Sequence, residues 1–284
     1  MKAITFSAFF LIVLYSSNVF SESYKVKKLK IEISKAVLVD KKLDLLIEIA
    51  NEIKGSYPDS ALYYLRQAEI FTPELKTNNE REIINIKILL CRISVEVAKG
   101  NYSESWKLDS LALLKAKSIS NRELEGQALM SKGGILYHLS EFDKAQEINR
   151  EALRLIKTTN DRKTEGKILT NMGTIEFILG YADKADSLFR IPMKLAEEAG
   201  DEDLLAASLL NIGLLNIYRG EYKVAEDNLL KSIEVYKSID GKDGLVLCYQ
   251  SLSTIYFEQG NMEKSIEFNV MNFNLSMELG DRIG

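Results

Sequence analysis

An all-α fold, an α-solenoid of about six stacked helical hairpins, is what this 284-residue sequence predicts, and three observations predict it. The first is composition: 46% hydrophobic, 27% charged and only three prolines, which is globular, with Leu, Ile, Glu, Lys and Ala dominating over the Val/Thr runs of a β protein. The second is self-similarity. "NMGTIEFILGYADKA" (171–185) and "NIGLLNIYRGEYKVA" (211–225) begin forty residues apart and carry Asn, Gly, Gly and Ala at the same offsets; a period of this length marks a repeat array. The third is helical periodicity on both sides of a turn residue. Ile168, Met172, Ile175 and Leu179 precede the turn at Gly180, and Ala145, Ile148, Ala152, Leu155 and Ile156 follow the turn at Ser140, spacings that gather on one helix face.

The chain opens on Lys2 and an apolar run, "AITFSAFFLIVLYSS", followed by "NVFSES". This reads as a signal peptide over 1–21, cut after Ser21. An uncleaved anchor is the alternative, because the uncharged run is nearly long enough to span a bilayer. Either way the remainder is expected to be exported, periplasmic or secreted. Residues 22–40 form an N-terminal cap segment, with a short helix expected over 24–38. A degenerate first unit follows at about 41–81, with its turn at Gly55, Pro58 at a first helical position and Ala61 facing the partner helix. Regular units are expected at about 82–121, 122–161, 162–201, 202–241 and 242–281, and 282–284 restarts a further one. Turns fall at Gly100, Ser140, Gly180, Gly220 and Gly260. Gly133, Gly173 and Gly213, with Ala145, Ala185 and Ala225 twelve residues on, are the small residues that let two helices approach. The linkers "SISN", "TTND", "EAGD" and "SIDG" supply helix stops and N-caps.

Three features stand outside this regularity. Pro192 falls inside a second helix, where the loss of one backbone hydrogen bond predicts a kink. The final helix, "MEKSIEFNVMNFNLSMEL", is expected to expose Phe268, Met271 and Leu275. Cys91 and Cys248 fall in distant units, too far apart for a disulfide, and are read as buried small apolar residues.

Chemistry is sparse. One histidine, His138, excludes clusters of several histidines, and no phosphate loop, CxxC or HExxH motif occurs. No enzyme activity, metal or cofactor is expected. A net charge of −4 gives no case for nucleic acid, and the basic "KVKKLK" (25–30) is local. The sequons at Asn101 and Asn274 decide nothing.

The apolar–Gly pairs Met172-Gly173 and Ile212-Gly213, the turn glycines and the alanines Ala145, Ala185 and Ala225 resemble the tetratricopeptide repeat family. The usual period there is about 34 residues, so the chain looks like a longer-helix branch. HEAT-type arrays have periods near this one but lack the Gly…Gly…Ala spacing. The resemblance implies a right-handed superhelix whose first helices line a concave groove. Stepping about 100° per residue away from Gly173 gives the groove stripe: Lys167, Thr170, Asn171, Thr174, Phe177 and Ile178. Neighbouring units add Tyr137 and His138, then Leu210, Asn211, Leu214 and Tyr218, then Gln250 and Phe257. Asn171 and Asn211 would hold the main chain of an extended peptide, with the aromatics as anchors. The basic residues of a carboxylate clamp are too few on this stripe. The expected partner is a protein or peptide, with membrane contact only through an uncleaved N-terminal segment. The chain is similar to the exported arrays of bacterial envelope sensors; the alternative is an assembly protein that oligomerises through its C-terminal repeat face.

Overall fold

The computed structural model describes residues 24–280; the leader expected at 1–21 and the restarted repeat at 282–284 lie outside the described residues. Thirteen α-helices follow one another, with no strand among the described residues. A capping helix α1 (Tyr24–Lys35) precedes six hairpins: α2 (Val39–Ile53) with α3 (Pro58–Phe71), α4 (Asn78–Ala98) with α5 (Tyr102–Ser118), α6 (Arg122–His138) with α7 (Phe142–Ile156), α8 (Arg162–Ile178) with α9 (Ala182–Ala199), α10 (Glu202–Tyr218) with α11 (Tyr222–Ser238), and α12 (Lys242–Glu258) with α13 (Met262–Gly280).

Local chemistry fixes these boundaries. The hairpin turns take the left-handed conformation, at φ 75° for Gly100, 60° for Ser140, 84° for Gly180, 72° for Gly220 and 75° for Gly260. Glycine enters this region without steric cost, and a single serine in it is tolerated. The links between hairpins end the same way, at Ser120, Gly200 and Asp240 (φ 52°, 66° and 56°). Helix starts are capped as the linkers imply: Asn121, Asp161 and Asp201 accept from the backbone N–H three residues on, at 3.0, 2.9 and 3.1 Å. Helix α4 starts at Asn78, earlier than the period alone indicates, because Thr77 and Glu80 form a reciprocal capping box, with Glu80 N–H donating to Thr77 Oγ1 at 3.1 Å and Thr77 N–H to Glu80 Oε2 at 2.9 Å.

Packing explains the small residues. A Cβ added to Gly173 would lie 2.6 Å from a ring carbon of Phe189, and one added to Gly213 would lie 2.9 Å from Leu229 Cγ. Each glycine thus receives a large side chain from the second helix of its hairpin. Pro192 sits in a helix that runs unbroken from Ala182 to Ala199. Ala112, Ala152 and Ser232, each 0% exposed, hold the corresponding slot of other units, so the compact pyrrolidine ring fills a space closed to longer side chains. Cys91 and Cys248 are free and buried, and burial pushes both thiols up to about 11.

The core is a series of local clusters set between neighbouring helices along the array. Val26, Leu29 and Ile33 of α1 close its N-terminal end against Leu43, Ile49 and Leu65. At the other end Phe268 stacks on Tyr256 (5.6 Å between centroids, 10° between planes), and Leu275 packs on the same cluster. This corrects the expectation that both face water. Met271 is exposed as expected, but the outward stripe of α13 is Ile266, Val270, Phe273 and Met277, on the side of the helix away from α12. Two polar side chains of the second helices are buried without partners. Asp109 of α5 and Asn149 of α7, both 0% exposed, find no hydrogen-bond partner for either carboxylate oxygen or either amide atom. Burial pushes the Asp109 carboxyl up to about 7 against the opposing pull of the Lys132 ammonium.

Candidate functional site on the inner wall

Which layer faces inward follows from the contacts between units. Along the array each first helix touches the first helix of the next unit: α2 meets α4, α4 meets α6, α6 meets α8, α8 meets α10 and α10 meets α12. Second helices form no comparable pairs among the described residues. The first helices are therefore the closely spaced inner layer and the second helices the splayed outer one.

On that wall Asn171 of α8 and Asn211 of α10 occupy the same place in adjacent helices, both partly accessible. Among the described residues neither side-chain amide has a hydrogen-bond partner. Two hydroxyls of the stripe are spent on their own helix: Thr170 donates to Gly166 O and Thr174 to Thr170 O, each at 3.0 Å. These hydroxyls turn back to the backbone, whereas the two asparagine amides stay open as donors and acceptors. Lys167 precedes Asn171 by one turn; the surrounding protein, and then Lys163 and Lys54, hold its ammonium below the usual lysine range.

Aromatic residues gather at the C-terminal ends of the inner helices. Phe177 meets Tyr218 edge to face (5.4 Å, 85°), and Tyr218 and Phe257 are 62% and 57% exposed. His138 is exposed and stacks on Tyr102 of the preceding unit at 5.6 Å, with Tyr137 edge-on at 5.3 Å. Tyr102 escapes the sequence reading because it lies on a second helix and joins only through stacking between units. Gln250 is exposed on α12. Two residues of the expected stripe sit deeper. Leu210 is 5% exposed and packs into the core shared by the last two hairpins, with Leu214 partly buried against the same cluster. Leu210 therefore offers no surface to a ligand; the stripe drawn around Gly213 is one residue too wide on that side. What the wall presents is two accessible amides in register, flanked by exposed aromatic faces.

Among the described residues no three His, Cys, Asp or Glu side chains gather closely enough to hold a metal ion, and no helix is long and apolar enough to cross a membrane.

Residues 205–269 match the family model described as "Tetratricopeptide repeat". The fold is similar to that of apo RapI, with a TM-score of 0.63 at 14% identity over 99% of this chain and 100% of that one. The Rap conjugation gene regulator of plasmid pLS20, solved with the Phr* peptide, aligns with a TM-score of 0.59 at 16% identity over 90% of this chain and 74% of that one. Aspartyl phosphate phosphatase F from Bacillus subtilis gives a TM-score of 0.60 at 17% identity over 93% and 77%. No curated protein matches the sequence. Residues 205–269 thus match the tetratricopeptide repeat model, and the helical-repeat fold that these solved structures share extends over the described residues.

Proposed function

We propose that the chain is a non-catalytic scaffold that holds an extended peptide or protein segment along its inner wall, as the extracytoplasmic sensing part of a regulator. The observation that carries the reading is the pair of unpaired, accessible amides of Asn171 and Asn211 on adjacent inner helices. Neighbouring helices pack about 10 Å apart and an extended chain rises about 3.3 Å per residue, so each unit spans roughly three ligand residues. One asparagine per unit then meets a backbone amide at each step, while Phe177, Tyr218 and Phe257 supply apolar anchoring area. The peptide-bound Rap regulator supports the ligand class at the level of fold. Export rests on the apolar leader sequence alone.

The test is selection of peptides from a displayed random library on residues 22–284. Asn171→Ala with Asn211→Ala is expected to weaken binding of the selected peptides about tenfold or more, at roughly 1 kcal/mol per lost hydrogen bond, with little change in melting temperature. Unchanged affinity in the double variant would remove the groove reading.

One observation favours the assembly alternative. Ile266, Val270, Phe273 and Met277 form a single exposed stripe at helical spacing on α13, and such stripes mark contact surfaces. If it joins two copies, sedimentation will show concentration-dependent association that Val270→Glu with Phe273→Glu abolishes; a monomer at all concentrations rejects that reading.

A further inference from the structure

The turn of the first hairpin meets the far end of the array. Gly55 lies between α2 and α3, and a Cβ placed on it would sit 3.8 Å from Oδ2 of Asp243, in the first turn of α12. In an open solenoid each repeat contacts only its neighbours. This approach means that the superhelix has wound far enough for its first and last hairpins to touch.

Charge follows the same line. Lys54 precedes Gly55 and donates through Nζ to Asn51 Oδ1 at 3.0 Å. Burial lowers the pKa of Lys54, and Asp203, in the first turn of α10, is among the acids that oppose the shift. Asp203 acts likewise on Lys25 of α1, which is paired with Glu52 at 2.6 Å. Lys54 in turn repels Lys167 on α8. The turn is therefore set against the starts of three consecutive inner helices. All three carry a carboxylate in the first turn, Glu165, Asp203 and Asp243 among them, where the helix dipole favours negative charge.

We propose that this turn is a clasp. Lys54 and Gly55 close the inner channel against Asp203 and Asp243, so the wall forms a ring that admits a single extended strand and excludes a folded domain. What the ring admits rests on the groove reading; the closure does not, and its test uses no ligand.

Gly55→Cys with Asp243→Cys is treated with a short bis-maleimide in the full chain. Cys91 and Cys248 stay in place, buried and protonated. Cross-linking within one molecule should run at least ~tenfold faster than for Gly55→Cys paired with Lys194→Cys on the outer helix α9, because closure raises the effective concentration. It should slow several-fold in 1 M NaCl, where the screening length falls to about 3 Å. Lys54→Glu should slow it likewise, and adding Asp203→Lys should restore it. A rate equal to that of the outer pair overturns the clasp, and a rate indifferent to both salt and Lys54→Glu overturns its electrostatic basis. A nitroxide on Gly55→Cys alone keeps every charge and gives a second reading: it should broaden the backbone amide signals of Asp243 and Asp203, and sharp signals there would also overturn the proposal.

Discussion

Asp109→Asn is expected to make the protein more stable at pH 8 and to leave it nearly unchanged at pH 4. The Asp109 carboxyl is 0% exposed and has no hydrogen-bond partner, and burial pushes it up from its ordinary 3.8 to about 7. Its folded pKa is raised, so the unfolded chain releases this proton first. Below about pH 4 the group is protonated in both states and costs nothing through ionisation. Between the two pKa values the unfolded state gains, and stability falls with rising pH by about 1.4 kcal/mol per unit. Above about pH 7 the full penalty is present, with a ceiling of ~4 kcal/mol. Urea midpoints of wild type and variant, measured from pH 4 to pH 8, isolate this group because all other titrations are common to both. The difference between them should grow through that window and then level off. Parallel curves would mean that the carboxylate is accommodated by contacts the fold does not show.

The second large effect belongs to the glycines of the inner helices. Gly173→Leu should destabilise by about 3 kcal/mol or more, at or beyond the upper end of ordinary overpacking, because even a Cβ at that position lies 2.6 Å from Phe189. Gly134 is the internal control, since a Cβ there meets nothing within 4 Å. Gly134→Ala should stabilise by roughly 0.5–1 kcal/mol through helix propensity. Thermal melts of both variants check the pair; equal shifts of the same sign would contradict the assignment of Gly173 to the helix–helix contact.

Sequence alone made the repeating parts legible and hid those that depend on how the repeats wind. The turns at Gly100, Ser140, Gly180, Gly220 and Gly260 could be read because one backbone conformation recurs at one period. The N-caps at Asn121, Asp161 and Asp201 are local chemistry and could be read for the same reason. Stripe assignments were less secure. Leu210 packs into the core shared by the last two hairpins, and Phe268 stacks on Tyr256; which face of each helix turns inward depends on neighbours that the motif does not specify. The unpaired Asp109 and Asn149 carry no sequence signal, since a polar residue on a second helix reads as solvated until its neighbours are known. The approach of Gly55 to Asp243 is the extreme case: it depends on the accumulated twist of the whole array rather than on any motif.

The central claim is that the inner wall takes an extended peptide through Asn171 and Asn211, and their side-chain NH2 resonances test it most directly. On titration of an isotope-labelled chain with a library-selected peptide, both signals should shift, while that of Asn149, buried in α7, stays in place. A peptide that binds with both inner amides unmoved would contradict the account.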